Sequence, residues 1–310
     1  MADGALHALY LIPEVSYGVT PATPAWNKQR ITGTTLGLSK NTLQSEEIRD
    51  DRQIGDTRHG TRSVGGEIQG ELSYGTWDAL LEALFGGTWV TDTPSVGTDQ
   101  LKAGVVRRSF SALRHFTDMP GGQKPYFLYT GIEVNSLSLA VAADANVTST
   151  FGVVGKDQTI SDTEPAGSTY NPVTTTKVID SFTGEIKEGG ATIGIITEVT
   201  LSAENGIEPR YVVGSKTTIR PSISRFTVTG QVTAYFESTA LLEKFIDETD
   251  SDLEFNLTDV AGNNYRFFLP RIVYTGGQPD VQGDGPITLA MPFTANYDAT
   301  SETNILIERS

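Results

Sequence analysis

Between Glu46 and Arg62 the chain carries two carboxylate pairs, Glu46-Glu47 and Asp50-Asp51, interleaved with Arg49, Arg52, Arg58 and Arg62. Paired carboxylates divide general-acid and general-base work when their surroundings pull their pKa values apart, so a hydrolase is one reading of this cluster. Arginine at the same density supports another: mixed-sign charge on a loop complements a facing surface, and we expect this one to meet a neighbouring subunit. His7, His59 and His115 show no His-x-x-x-His or His-Glu-x-x-His spacing and read as exposed loop residues. Asp280-Val281-Gln282-Gly283-Asp284-Gly285 has the composition of a calcium loop but lacks its third-position ligand and distal glutamate, which leaves an Asp-Gly turn. There is no nucleophile elbow, P-loop or dinucleotide fingerprint. With no cysteine in the chain, thiolate catalysis, disulfides and Cys-ligated metals are excluded. No cofactor or metal is expected.

The elements available to position these groups are mostly strands. The clearest is Gly65 to Tyr74, where Gly66, Ile68, Gly70, Leu72 and Tyr74 share one face and Glu67, Gln69, Glu71 and Ser73 the other. A short amphipathic helix follows, with Trp77, Leu80, Leu81 and Leu84 on its apolar side, Thr76 as cap and Gly86 as left-handed exit. Further strands are expected near 103–116, 126–141 and 147–154. In the later half, Phe226, Val228, Gly230, Val232 and Ala234 alternate with Thr227, Thr229, Gln231 and Thr233, and a second short helix follows with Leu241, Leu242 and Phe245 inward.

The two strand–helix units match at a separation of about 160 residues, the scale of a duplicated domain rather than a solenoid repeat. Gly70 aligns with Gly230, Leu80-Leu81-Glu82 with Leu241-Leu242-Glu243, and upstream Leu38-Ser39 with Leu201-Ser202. A length of 310 residues is about twice that of a common domain, in accord with one fold used twice. We expect an extended, proline-punctuated arm at 1–30, a first domain at 31–155, a linker or long loop at 156–180 and a second domain at 181–310. Net charge of −15 disfavours tight binding to nucleic acid. The N-terminus lacks the pattern of a signal peptide and no apolar run is long enough to span a membrane, so folding in the cytoplasm without membrane contact is the expectation.

Ser63-Val64-Gly65-Gly66-Glu67-Ile68-Gln69-Gly70-Glu71-Leu72-Ser73-Tyr74 with the Trp-Asp-Ala-Leu-Leu helix, Tyr126-Phe127-Leu128-Tyr129-Thr130-Gly131, and the Val228-Thr229-Gly230 strand resemble major tail tube proteins of long-tailed, non-contractile (siphovirus-type) bacteriophages. The resemblance implies a mainly β fold: two tandem β-sandwich domains, each with one short flanking α-helix, whose sheets join their neighbours in a barrel lining a tube. It implies a structural virion protein, not an enzyme, assembled in the host cytoplasm into the phage tail. Its partners would be further copies of itself, the tape-measure protein, and the tail terminator and distal tail proteins. DNA would pass through the lumen without specific binding during ejection into the host. Family members commonly form six-membered rings of one tube domain per chain. Duplication would close the same ring with a homotrimer of pseudo-sixfold symmetry, the runner-up being a homohexamer. Glu67, Glu71 and Gln231 are the lumen-facing candidates; Glu46, Glu47, Arg49, Asp50, Asp51, Arg52, Arg58 and Arg62 are the inter-subunit loop candidates. The competing class is a two-domain carbohydrate-binding or adhesin module, with a hydrolase using the 46–51 carboxylates behind it.

Overall fold

The computed structural model describes residues 3–120, 122–181, 184–281 and 283–310. Met1 and Ala2 of the expected arm and Gln282 of the Asp-Gly turn lie outside these residues. The fold is mainly β, with half of the chain in strands. The first half runs β1 (His7–Pro13), β2 (Ala25–Lys28), β3 (Gly33–Thr34), β4 (Gly37–Gln44), β5 (Thr57–Glu71), α1 (Asp78–Phe85), β6 (Asp99–Lys102), β7 (Phe110–Phe116), β8 (Tyr126–Ala142), β9 (Thr148–Gly155), β10 (Asp157–Ser161) and β11 (Thr169–Asn171). The second runs β12 (Glu185–Glu188), β13 (Ala191–Thr192), β14 (Ile196–Glu204), β15 (Glu208–Arg210), β16 (Ile219–Ser222), β17 (Thr227–Tyr235), α2 (Ala240–Ile246), β18 (Ser251–Thr258), β19 (Asn264–Tyr274), β20 (Pro279–Asp280), β21 (Thr288–Ala295) and β22 (Leu306–Arg309).

β5 follows the period-two alternation of its sequence: Val64, Ile68 and Gly70 are buried and Glu67 is exposed. Gly70 is demanded by packing, since a Cβ there would overlap the Trp77 ring. That ring stacks on Phe151 at 5.4 Å and donates its Nε1 proton to the Glu71 carbonyl over 3.0 Å. Leu80, Leu81 and Leu84 of α1 are buried as expected, and the helix exits through Gly86 at φ 61°. The expected Thr76 cap is not made. Thr76 sits one residue too early, and its hydroxyl pairs with those of Ser73 and Thr174 instead. α2 departs further from expectation: Leu241, Leu242 and Phe245 are only half-buried, and no residue of that helix is fully covered.

A central sheet runs β4–β5–β9–β8–β14–β17–β21. β8 bends out of it: its first half pairs with β7 and β10, its second with β9 and β14. β19 does the same, pairing with β18 and β22 before its last residues reach β21. The buried sides share one hydrophobic core that includes Ile68, Trp77, Leu139, Leu201, Phe255 and Phe293. Among the described residues no sheet closes into a barrel within the single chain.

Six antiparallel pairings of the first half recur in the same order in the second. β1·β7 corresponds to β12·β18, β7·β8 to β18·β19 and β8·β10 to β19·β22. β8·β9 corresponds to β19·β21, β5·β9 to β17·β21 and β4·β5 to β14·β17. The ladders correct the sequence alignment, however. β5·β9 ends at Val64 opposite Gly155 and β17·β21 at Val228 opposite Ala295, which puts Gly66, not Gly70, in the place of Gly230. On the same basis Leu38, opposite Val64, corresponds to Ala203, opposite Val228, not to Leu201.

Two segments differ from their expected form. The first thirty residues are no free arm: β1 pairs with β7 along its whole length, Leu9 and Leu11 are buried, and Trp26 is fully enclosed. The prolines that suggested an arm only end and interrupt these strands. Nor is 156–178 a tether, because β10 extends the β7·β8 sheet, β11 lies parallel to β2, and Val178 bridges to Ser73. Its Thr- and Ser-rich composition suits edge strands as well as it suits a linker.

Candidate functional site: a polar face spanning both halves

One side of the central sheet faces the core; the other carries rows of small polar residues and carboxylates that cross from the first half into the second. Glu67, Gly152, Ser136, Glu204 and Thr227 lie opposite one another in turn on β5, β9, β8, β14 and β17. The next row is Gln69, Thr150, Ser138, Ser202, Thr229 and Thr294. The third is Glu71, Thr148, Ala140, Thr200, Gln231 and Pro292. A shorter row of Ala142, Glu198, Thr233 and Ala290 completes it. No lysine or arginine stands in these rows.

Glu67, Glu71 and Gln231, chosen from alternation alone, therefore share this face, and Glu71 and Gln231 share a row. Sequence reasoning missed Glu198 and Glu204, although Val199, Leu201 and Ala203 alternate with them and are buried. Glu67, Glu198, Glu204 and Gln231 are exposed and Glu71 is half-buried. Gln69 Nε2 donates to Glu67 Oε2 at 2.9 Å, and Asn146 Nδ2 to Glu71 Oε1 at 2.8 Å. These contacts orient the carboxylates without neutralising them, so the face is negative and cannot draw phosphate oxygens into ion pairs.

The charged cluster at 46–62 does not converge on a catalytic pair. Residues 45–56 form the tip of the β4–β5 hairpin, where Glu46, Glu47, Arg49, Asp50, Asp51 and Arg52 are all exposed. Arg49 Nη2 contacts Asp51 Oδ2 at 2.5 Å, and this bond holds the Asp51 carboxyl below its ordinary range, the opposite of what a general acid requires. Arg58 pairs with Asp56 at 3.0 Å. Arg62 belongs to the body of β5 and not to the tip, reaching Asp157 at 2.6 Å. The tip also presents two exposed apolar groups, Ile48 at 98% and Ile54 at 64%.

Buried charge is placed instead where elements are tied together. Glu133, on the bend of β8, is 2% exposed and takes Arg107 on Oε2 and Arg220, from β16 of the second half, on Oε1 at 2.9 Å. Arg309 near the C-terminus joins Asp78 of α1 to Asp99 of β6. Burial pushes the Asp78 carboxyl up despite the opposing pull of Tyr265 and Arg309. Across β18, β19 and β22, Arg266 binds Glu254 at 2.6 Å and Glu308 at 2.8 Å. The bond from Arg266 lowers the Glu254 pKa below its ordinary 4.5, so its stabilisation is complete above that pH and is lost as pH falls through the lower, folded-state value. Glu254→Gln is accordingly expected to lower the melting temperature by a few degrees at pH 7, with the difference from the unmodified chain vanishing in acid. Paired thermal melts across that range check it.

A family model described as phage tail tube protein matches residues 4–295. None of the curated proteins matches the chain.

Proposed function

The chain belongs to the phage tail tube protein family, and from that premise we propose that three copies close into a ring of pseudo-sixfold symmetry whose lumen is lined by the polar sheet face. A tail tube protein is a structural component of the virion tail and assembles with copies of itself into a tube. Stacked rings of this chain would enclose the tape-measure protein during assembly, be finished at their ends by tail terminator and distal tail proteins, and conduct DNA during ejection.

The observation that carries this reading is the continuity of the polar face across β14, with no lysine or arginine in its rows. Every phosphate held by a wall cation releases counterions and adds affinity, so a wall that must let a duplex slide is best built from carboxylates, hydroxyls and small residues. The paired recurrence of six ladders supports two tube domains per chain, hence a trimer where a one-domain chain would need a hexamer. The hairpin tip at 45–56, with exposed Ile48 and Ile54 among mixed charges, suits a contact with the adjoining ring. Nothing in the geometry favours the carbohydrate-binding or hydrolase alternatives.

Electron microscopy of the purified protein tests the reading directly. Tubes with an open channel and three chains per ring are expected; six chains per ring would refute the trimer, and protein that never forms tubes would refute the assembly itself.

A further inference from the structure

Among the described residues, the ladder that joins the two halves, β8·β14, has no counterpart within the chain, although each of its strands has one. Along β9 and β21, Glu133, Val134 and Ala140 of β8 hold the positions that Val273, Tyr274 and Asp280 hold in the second half, a constant displacement of 140 residues (133 to 273, 134 to 274, 140 to 280). Along β5 and β17, Thr34 and Leu38 hold the positions of Val199 and Ala203, a constant displacement of 165 (34 to 199, 38 to 203). The counterpart of β8·β14 therefore sets residues 276–281 against residues 34–39. In one chain these segments lie at opposite ends of the central sheet, each with one ladder edge unpaired among the described residues.

We infer that 276–281 of one copy pairs antiparallel with 34–39 of the next, Gln278 opposite Gly37 and Pro279 opposite Leu36, reproducing Ser138 opposite Ser202 and Leu139 opposite Leu201. The inference rests on ring assembly as proposed above and sharpens it to a strand register. Two independent features fit. Val141, covered by the internal ladder, is 7% exposed, whereas its counterpart Val281 is 71% exposed and awaits the same cover. Pro279, which has no N–H to donate, falls opposite Leu36, whose carbonyl is already taken by Arg114 Nη1 at 2.6 Å and Tyr129 Oη at 3.2 Å. The donor that Pro279 lacks thus falls opposite a carbonyl that already has its partners. An open edge is otherwise a site of indiscriminate pairing, and this one is matched to a single partner.

The chain has no cysteine, so introduced thiols report the register without background. Directly opposed strand residues bring their Cβ atoms within about 5.5 Å and diagonal neighbours stay near 7–8 Å, a difference that disulfide formation resolves. Gln278 is exposed, and at Gly37 an added Cβ would meet the Thr35 carbonyl at an ordinary 3.6 Å, so both sites accept the change. Gln278→Cys with Gly37→Cys is expected to convert most oxidised protein to a covalent species three times the monomer mass. Gln278→Cys with Ser39→Cys is expected to give at least tenfold less, and each single variant none. Rings that cross-link through Ser39→Cys instead, or through neither, overturn the register while leaving ring assembly standing. Unmodified protein that forms no ring by native mass measurement overturns the assembly reading and this ladder with it.

Discussion

Tails built from a chain carrying Glu67→Lys, Glu71→Lys, Glu198→Lys and Glu204→Lys are expected to assemble and to retain their genome, yet to eject it far more slowly at low salt. Three of the four sites are exposed and Glu71 is half-buried, and none bears on the core, so the fold should be affected by only a few tenths of a kcal/mol per site. The effect on transit is of another order. Each reversal moves the wall by two charges, and four take the chain from −15 to −7 with all of the change on one face. A surface making about 6–10 phosphate contacts gains roughly 10³–10⁵ in affinity on going from 200 to 50 mM salt, and a tube repeats its wall at every ring. The diagnostic readout is salt: ejection by the variant should recover as ionic strength rises, while ejection by the unmodified tail should change little. Equal rates at low salt would show that this face does not line the passage.

The second large effect concerns the joint between the halves. Removing both cations from Glu133 by Arg107→Leu with Arg220→Leu is expected to cost about 3–5 kcal/mol, because it strands a carboxylate that is 2% exposed. The site has consequences beyond stability. Glu133 sits where β8 leaves the β7·β10 sheet for the β9·β14 sheet, next to Gly131 at φ 67° and the register shift at Val134, and Arg220 reaches it from the other half. The ion pairs therefore tie the bend of β8 to β16 of the second half, a joint that would bear on ring curvature in the assembly proposed above. Adding Glu133→Leu should restore much of the lost stability, since an apolar trio of similar volume carries no desolvation penalty. Urea unfolding midpoints at constant slope measure both steps. A triple variant that regains stability but forms rings of irregular diameter would separate the geometric role from the energetic one. A double variant as stable as the unmodified chain would show that Glu133 is solvated after all.

Much of this protein is written in its sequence, and the physical reason is local. Alternation at Gly65 to Tyr74 and at Phe226 to Ala234 assigns a buried and a wet side to each strand, because successive side chains of an extended chain point to opposite faces whatever surrounds them. That was enough to place Glu67, Glu71 and Gln231 on the wet sides of their strands, to find α1 from its apolar stripe, and to pick out both glycines at which backbone meets a bulky ring. Alternation is blind to even-numbered slips, however. A displacement of four residues keeps every side chain on its own face, so the choice between Gly66 and Gly70 as the mate of Gly230 lay with the hydrogen-bonded ladders.

Other features have no local signature. His7–Pro13 reads as part of an arm until its pairing with β7 buries Leu9 and Leu11, and 156–178 reads as a linker until β10 and β11 find edges to extend. Glu133, Arg107 and Arg220 stand far apart in the chain, and a buried charge is tolerable only where folding brings its partners to it. The sequence by itself determined which side of each alternating strand faces core or water, since that depends on neighbours a few positions away. Tertiary structure alone decided the order of the strands, the joining of the two polar faces through β14 and the identity of the edges left open, because these depend on which distant segments share hydrogen bonds.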